Sequence, residues 1–60
     1  MNEYRVEIFL PGYGWDRKTG TRTYAEALSE VESLMDWDKY NDVYYQYRIK
    51  GGDGEVLYES

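Results

Sequence analysis

Six carboxylates crowd one stretch of this 60-residue chain: Glu26, Glu30, Glu32, Asp36, Asp38 and Asp42, with Lys39 the only base among them. Their local net charge of -5 equals that of the whole chain, because the acids and bases outside the stretch cancel. Spaced carboxylates imitate a run of phosphates, or dock onto a basic surface, and a one-sided field steers such encounters. The other reading is a solvated face that keeps a small protein soluble. Trp37 and Tyr40 stand among these acids. Aromatics ringed by polar groups are typical anchors of binding interfaces. The candidate partner-binding residues are therefore Glu26, Glu30, Asp36, Trp37, Asp38 and Tyr40, facing a basic surface of a partner protein.

Catalytic chemistry has little to stand on. The chain contains no histidine and no cysteine, so the usual general base and thiol nucleophile are missing. No catalytic residue is assigned, and the expectation is that the protein is not an enzyme. No metal site and no cofactor are expected either. Zinc prefers nitrogen and sulfur ligands. The alternating acids of 36–42 resemble a calcium loop only in part: Tyr40, Asn41 and Tyr47 occupy the positions that need an oxygen ligand, a glycine and a bidentate glutamate.

The elements that must position the acids follow from periodicity. Thr23-Tyr24-Ala25-Glu26 has the form of a capping box. Behind it Tyr24, Ala27, Leu28, Val31, Leu34 and Met35 recur at helical spacing, with Glu26, Ser29, Glu30 and Ser33 opposite. Asp36 and Asp38 fall near the C-terminal end, where the macrodipole disfavours negative charge by a few tenths of a kcal/mol each, about the size of a surface effect. The stretch Asp36 to Asp42 then reads as a connection.

Residues Glu3 to Leu10 alternate as a half-buried strand. Tyr4, Val6, Ile8 and Leu10 form one face, and Glu3, Arg5, Glu7 and Phe9 the other. Pro11-Gly12 ends it. From Trp15 to Arg22 the sequence reads as a tight reversal with Gly20 left-handed, flanked by a short strand or replaced by an ordered loop. Val43 to Lys50 alternates again. Gly51-Gly52-Asp53-Gly54 is a hairpin loop, and Glu55 to Glu59 returns, with Lys50 and Glu55 placed to pair across it.

The fold class expected is α+β: a single small domain spanning 1–60, with one amphipathic helix packed on a 3–4-stranded antiparallel sheet in the order β-(β)-α-β-β. Its core would be Val6, Ile8, Leu10, Leu28, Val31, Leu34, Met35, Tyr45, Tyr47, Ile49 and Val56. A domain this size buries only about 60% of its unfolded surface. Small domains usually add a disulfide, a metal or a second subunit. Here a homodimer is expected, with Arg5, Phe9, Tyr44, Arg48 and Leu57 as its possible face, since one helix covers only one side of a sheet.

No apolar run approaches the roughly 20 residues that span a bilayer, so no membrane partner is expected. The absence of cysteine and of a leader fits a cytoplasmic protein, or the host cytoplasm for a viral one. Acidity disfavours direct nucleic-acid binding. The alternative function is a nucleic-acid, nucleotide or small-ligand binder using the Tyr/Arg sheet face and the Arg17–Arg22 turn. A structural accessory subunit is a third.

The chain also resembles, in style, the short acidic proteins encoded by bacteriophages. The features that carry this are Tyr4-Arg5-Val6, the Gly12-Tyr13-Gly14-Trp15 loop, the helix start with Glu26-Ala27, and the closing strand from Asp53-Gly54-Glu55-Val56-Leu57-Tyr58. Many such proteins block host defences, CRISPR effectors and restriction enzymes included. The resemblance implies an inhibitor or regulator of the anti-defence, anti-CRISPR kind. It carries no residue role and no target.

Overall fold

The computed structural model describes residues 3–60. Strand β1 (Tyr4–Leu10) is followed by β2 (Gly14–Thr21), helix α1 (Tyr24–Tyr40), β3 (Gln46–Lys50) and β4 (Val56–Glu59). The strands form one sheet in the order β2-β1-β3-β4, antiparallel throughout. The helix lies across one face, against β1, β2 and β3. The architecture is the small α+β domain expected, in its four-stranded form.

The β1–β2 connection is shorter than the sequence reading placed it. Pro11-Gly12 does more than end a strand: the Tyr13 amide donates to the Leu10 carbonyl at 2.9 Å, and Gly12 has φ +89°. Proline followed by a left-handed glycine is the signature of a type II turn. The chain therefore reverses at 11–13, and Trp15 to Thr21, read as a reversal, becomes a long strand. Gly20 is ordinary extended backbone inside it, paired with Arg5. A bulge between Val6 and Glu7 leaves Lys18 without a partner residue across the ladder.

The helix begins as its capping box requires. The Glu26 amide donates to Thr23 Oγ1 at 3.1 Å, and the Thr23 amide donates to Glu26 Oε1 at 3.1 Å. It ends later than expected, at Tyr40 rather than near Asp36. The Val43 amide donates to the Asp38 carbonyl at 2.9 Å, and the Asp42 amide to the Lys39 carbonyl at 3.2 Å. These two bonds, with Asp42 at φ +57°, make a Schellman closure. Asn41 adds a side-chain bond to the Trp37 carbonyl at 2.8 Å. An aspartate in the left-handed region is strained, and its charge opposes the helix dipole. Asp42→Gly is therefore expected to stabilise the fold by about 1 kcal/mol. A urea midpoint that fails to rise would contradict this account of the helix end.

The core between helix and sheet is Val6, Ile8, Ala27, Val31, Tyr47 and Ile49, with Tyr4, Leu10, Tyr24, Leu28, Leu34 and Tyr58 packed around it. Tyr4 and Tyr24 meet edge to face, with centroids 6.0 Å apart. Three residues expected in the core are exposed: Met35, Tyr45 and Val56. Met35 lies on the flank of the helical stripe, beside Tyr44 and Tyr45 rather than a strand. Tyr45 precedes the ladder, which begins at Gln46 and not at Val43. Val56 starts an edge strand where the β3–β4 register shifts, with Lys50 opposite it, and Tyr58 takes the inward place beside Ile49. The expected Lys50–Glu55 pair does not form. Glu55 instead meets the loop through its backbone, its carbonyl accepting from the Gly51 amide at 2.8 Å. Among the described residues the one ion pair within 4 Å is Arg48–Glu7. No helix there is long and apolar enough to cross a membrane.

Candidate partner-binding site

An α-helix turns about 100° per residue, so the inward stripe Ala27, Val31, Leu34 continues to position 38. The other positions form two outward bands. Glu26, Glu30, Ser33, Trp37 and Tyr40 run along one side, and Ser29, Glu32, Asp36 and Lys39 along the crest; all are exposed. Trp37 is 62% exposed and Tyr40 90%. Among the described residues no ion pair within 4 Å involves Glu30, Glu32 or Asp36. Glu26 is occupied in part, since its Oε1 accepts from the Thr23 amide and hydroxyl. The structure thus puts Glu26, Glu30, Trp37 and Tyr40 on one exposed band of α1 and Asp36 on the exposed crest beside it.

Asp38 does not join them. Its side chain turns into the protein, 4% exposed, because helix extension puts it on the core stripe. There Asp38 Oδ2 accepts a 2.6 Å hydrogen bond from the Tyr47 hydroxyl. A charged acceptor makes this bond short and strong. Burial raises the Tyr47 phenol above its usual value, and the hydrogen bond and the charge of Asp38 push the same way. As an exposed docking carboxylate Asp38 is withdrawn. The signal that would have found it was the spacing itself: 38 lies four residues beyond Leu34 and seven beyond Val31.

Asp38 lies where two clefts meet, each of about 250 Å³. The first is lined by Met35, Asp36, Asp38, Lys39, Tyr44 and Tyr45. The second, on the β2 side, has Lys18, Trp37 and Tyr47 in its wall. A larger, open depression of about 310 Å³ sits by the β3–β4 loop. Its lining of glycine backbone and scattered acids converges on no reactive group.

The outer sheet face is less bare than expected. Residues directly opposite in an antiparallel pair share a face, so Arg5, Glu7 and Phe9 of β1 stand with Trp15 and Arg17 of β2 and with Gln46, Arg48 and Lys50 of β3. Phe9 and Trp15 meet edge to face at 5.3 Å. The Arg48 guanidinium lies 4.1 Å from the centre of the Trp15 ring, and its Nε donates to Glu7 Oε1 at 2.6 Å. This combines a cation–π contact with a largely buried ion pair. Of the expected dimer face, Arg5, Phe9 and Arg48 are here; Leu57 falls at the β3–β4 register shift and lines the depression by the β3–β4 loop with Tyr4 and Gly51. Tyr44 is not here. It precedes β3 and stands at the C-terminal end of α1, 81% exposed. Glu7 was expected on this face, but Trp15 was missed because its own segment was read as a reversal rather than a strand.

Comparison with family models, with curated proteins and with solved structures finds no match to this chain.

Proposed function

We propose that this chain is a non-enzymatic binding protein, a small acidic inhibitor or regulator. It docks through the exposed acidic side of α1, with Trp37 and Tyr40, onto a basic surface of a partner protein. The observation that carries this reading is a set of exposed helix carboxylates left without ion-pair partners beside two exposed aromatic rings. The last turn carries a single base, Lys39, close to Asp36 and Asp38, although carboxylates near that end oppose the helix dipole. The anti-defence role is supported by the resemblance to bacteriophage proteins.

The test uses a partner captured from host lysate. The triple variant Glu30→Gln, Glu32→Gln, Asp36→Asn spares the capping glutamate and the buried aspartate. It is expected to weaken binding about 30-fold at low salt, from roughly 0.7 kcal/mol per lost charge pair, and to flatten the salt dependence. Unchanged affinity refutes the acidic-face reading.

A second reading rests on the strand register, which gathers Arg5, Arg17, Arg48 and Lys50 with Phe9 and Trp15 on the outer face. Cations among aromatics suit a nucleic-acid strand or nucleotide. Arg48 is already engaged by Glu7 and Trp15, which weakens this reading. It predicts that Arg17→Gln with Lys50→Gln abolishes binding while the triple helix variant does not. A second copy of the chain on the same face would show as a doubled mass in light scattering.

A further inference from the structure

Resting on the acidic-face reading, we infer that the cleft between the end of α1 and Tyr44–Tyr45 is a socket for one arginine side chain of the partner protein. The reason starts with Asp38. It is almost wholly buried, and only its Oδ2 has a protein partner, the Tyr47 hydroxyl. Among the described residues no fully buried side-chain oxygen lacks a partner. The free Oδ1 therefore keeps some access to solvent, at the meeting of the two clefts. No lysine or arginine comes within 4 Å of it. A desolvated carboxylate with no counter-ion is costly unless a cation reaches it.

The two clefts beside Asp38 differ in charge. The β2-side cleft has Lys18 in its wall, more than 4 Å from Asp38, and so already holds a base. The other holds two carboxylates, Asp36 and Asp38, against Lys39. Its remaining walls are Met35, Tyr44 and Tyr45, all exposed. Tyrosine faces attract cations, and a thioether adapts to the shape of what lies on it. Apolar walls also cover the methylene stem of a long basic side chain. Arginine fits better than lysine, because a planar guanidinium stacks on a phenol ring while forking onto carboxylates. About 250 Å³ suits one side chain and excludes a folded segment. Asp36 belongs both to this cleft and to the exposed crest of α1, so the socket adjoins the acidic face already described.

The test is an NMR titration of the whole chain with a hexa-arginine peptide, against hexa-lysine, hexa-citrulline and arginine amide. Amide shifts centred on residues 35–45 are expected. Tyr44→Ala and Asp36→Asn should each weaken the peptide about fivefold or more. Both positions are exposed, and the spectrum itself reports whether either variant has lost the fold. Hexa-lysine should bind several-fold more weakly, and hexa-citrulline should produce no shifts. If shifts spread along Glu26–Glu32 and Tyr44→Ala changes nothing, the socket is refuted and the acidic-face reading stands. Equal shifts with hexa-citrulline, or no shifts with any basic probe, also overturn the socket; the acidic-face reading then stands or falls on the captured partner. Arginine amide binding as tightly as the peptide would make this a small-ligand site and overturn the partner assignment. Shifts at 35–45 that appear on raising protein concentration alone would give the cleft to a second copy and overturn it likewise.

Discussion

Tyr47→Phe is expected to lower the unfolding free energy by about 3 kcal/mol. The change removes one oxygen and leaves the apolar ring in place, so packing is nearly conserved. What is lost is the sole protein hydrogen bond to Asp38 Oδ2, on a side chain that is almost fully buried. Taking one partner from a buried charged acceptor typically costs about 3 kcal/mol or more. A 60-residue domain has only about 3–9 kcal/mol in all. Asp38→Asn keeps an acceptor without the charge and should cost about 1 kcal/mol. The double variant Asp38→Leu, Tyr47→Phe should be more stable than Tyr47→Phe alone, since no orphaned carboxylate remains. Urea unfolding of the four proteins measures this. A double variant no better than Tyr47→Phe would show that the carboxylate is not the source of the loss.

The same bond sets an alkaline limit. The folded state holds the Tyr47 phenol above its ordinary value of 10.0. Below pH 10 the phenol is neutral in both states, and its contribution is fully present. Above pH 10 the unfolded chain releases the proton while the folded one retains it. Stability then falls by up to about 1.4 kcal/mol per pH unit until the raised folded value is passed. Tyr47→Phe should lose this share of the alkaline slope. A slope equal to that of the parent chain would assign the loss to other tyrosines.

Ile49→Ala is the other large effect, about 3–4 kcal/mol. Ile49 is wholly buried in β3, opposite Val6 of β1 and Tyr58 of β4. Truncation opens a cavity where two strand pairs and the helix meet, and neighbours anchored in a ladder cannot collapse into it. Ile49→Val should cost about 1 kcal/mol. Val56→Ala is the informative contrast: the sequence pattern places Val56 in the core, the structure leaves it exposed, and a change below about 0.5 kcal/mol is expected. A loss at Val56 comparable to that at Ile49 would mean that β4 is covered in solution, by a second copy or by a different register.

Both predictions turn on residues whose roles the sequence showed unequally. Val6, Ile8, Val31, Tyr47 and Ile49 stand at period-two or helical positions, and periodicity alone named them as core. The Thr23–Glu26 capping box likewise needed only local chemistry, because its hydrogen bonds join residues three apart. Pro11-Gly12 contained the β1–β2 turn, though the basic stretch with Gly20 drew the reversal towards itself. Nothing local in Trp15 to Thr21 marks a strand; pairing with β1 makes it one. The end of the helix was also written locally, in Asn41 and Asp42, two residues that tolerate the conformations a helix needs to stop.

The amino-acid order by itself determined an α+β domain, its helix start, most of its core and the one-sided negative charge, because those features depend on neighbours within a turn or a strand. Tertiary structure alone decided that the partner of Asp38 is Tyr47, that Arg48 bridges Glu7 and Trp15, and that Tyr44 leaves the sheet face for the helix end. The first two join residues nine or more positions apart, and the third follows from where β3 begins. Their partners follow from how the strands register and how the sheet packs on the helix, and no local periodicity encodes that.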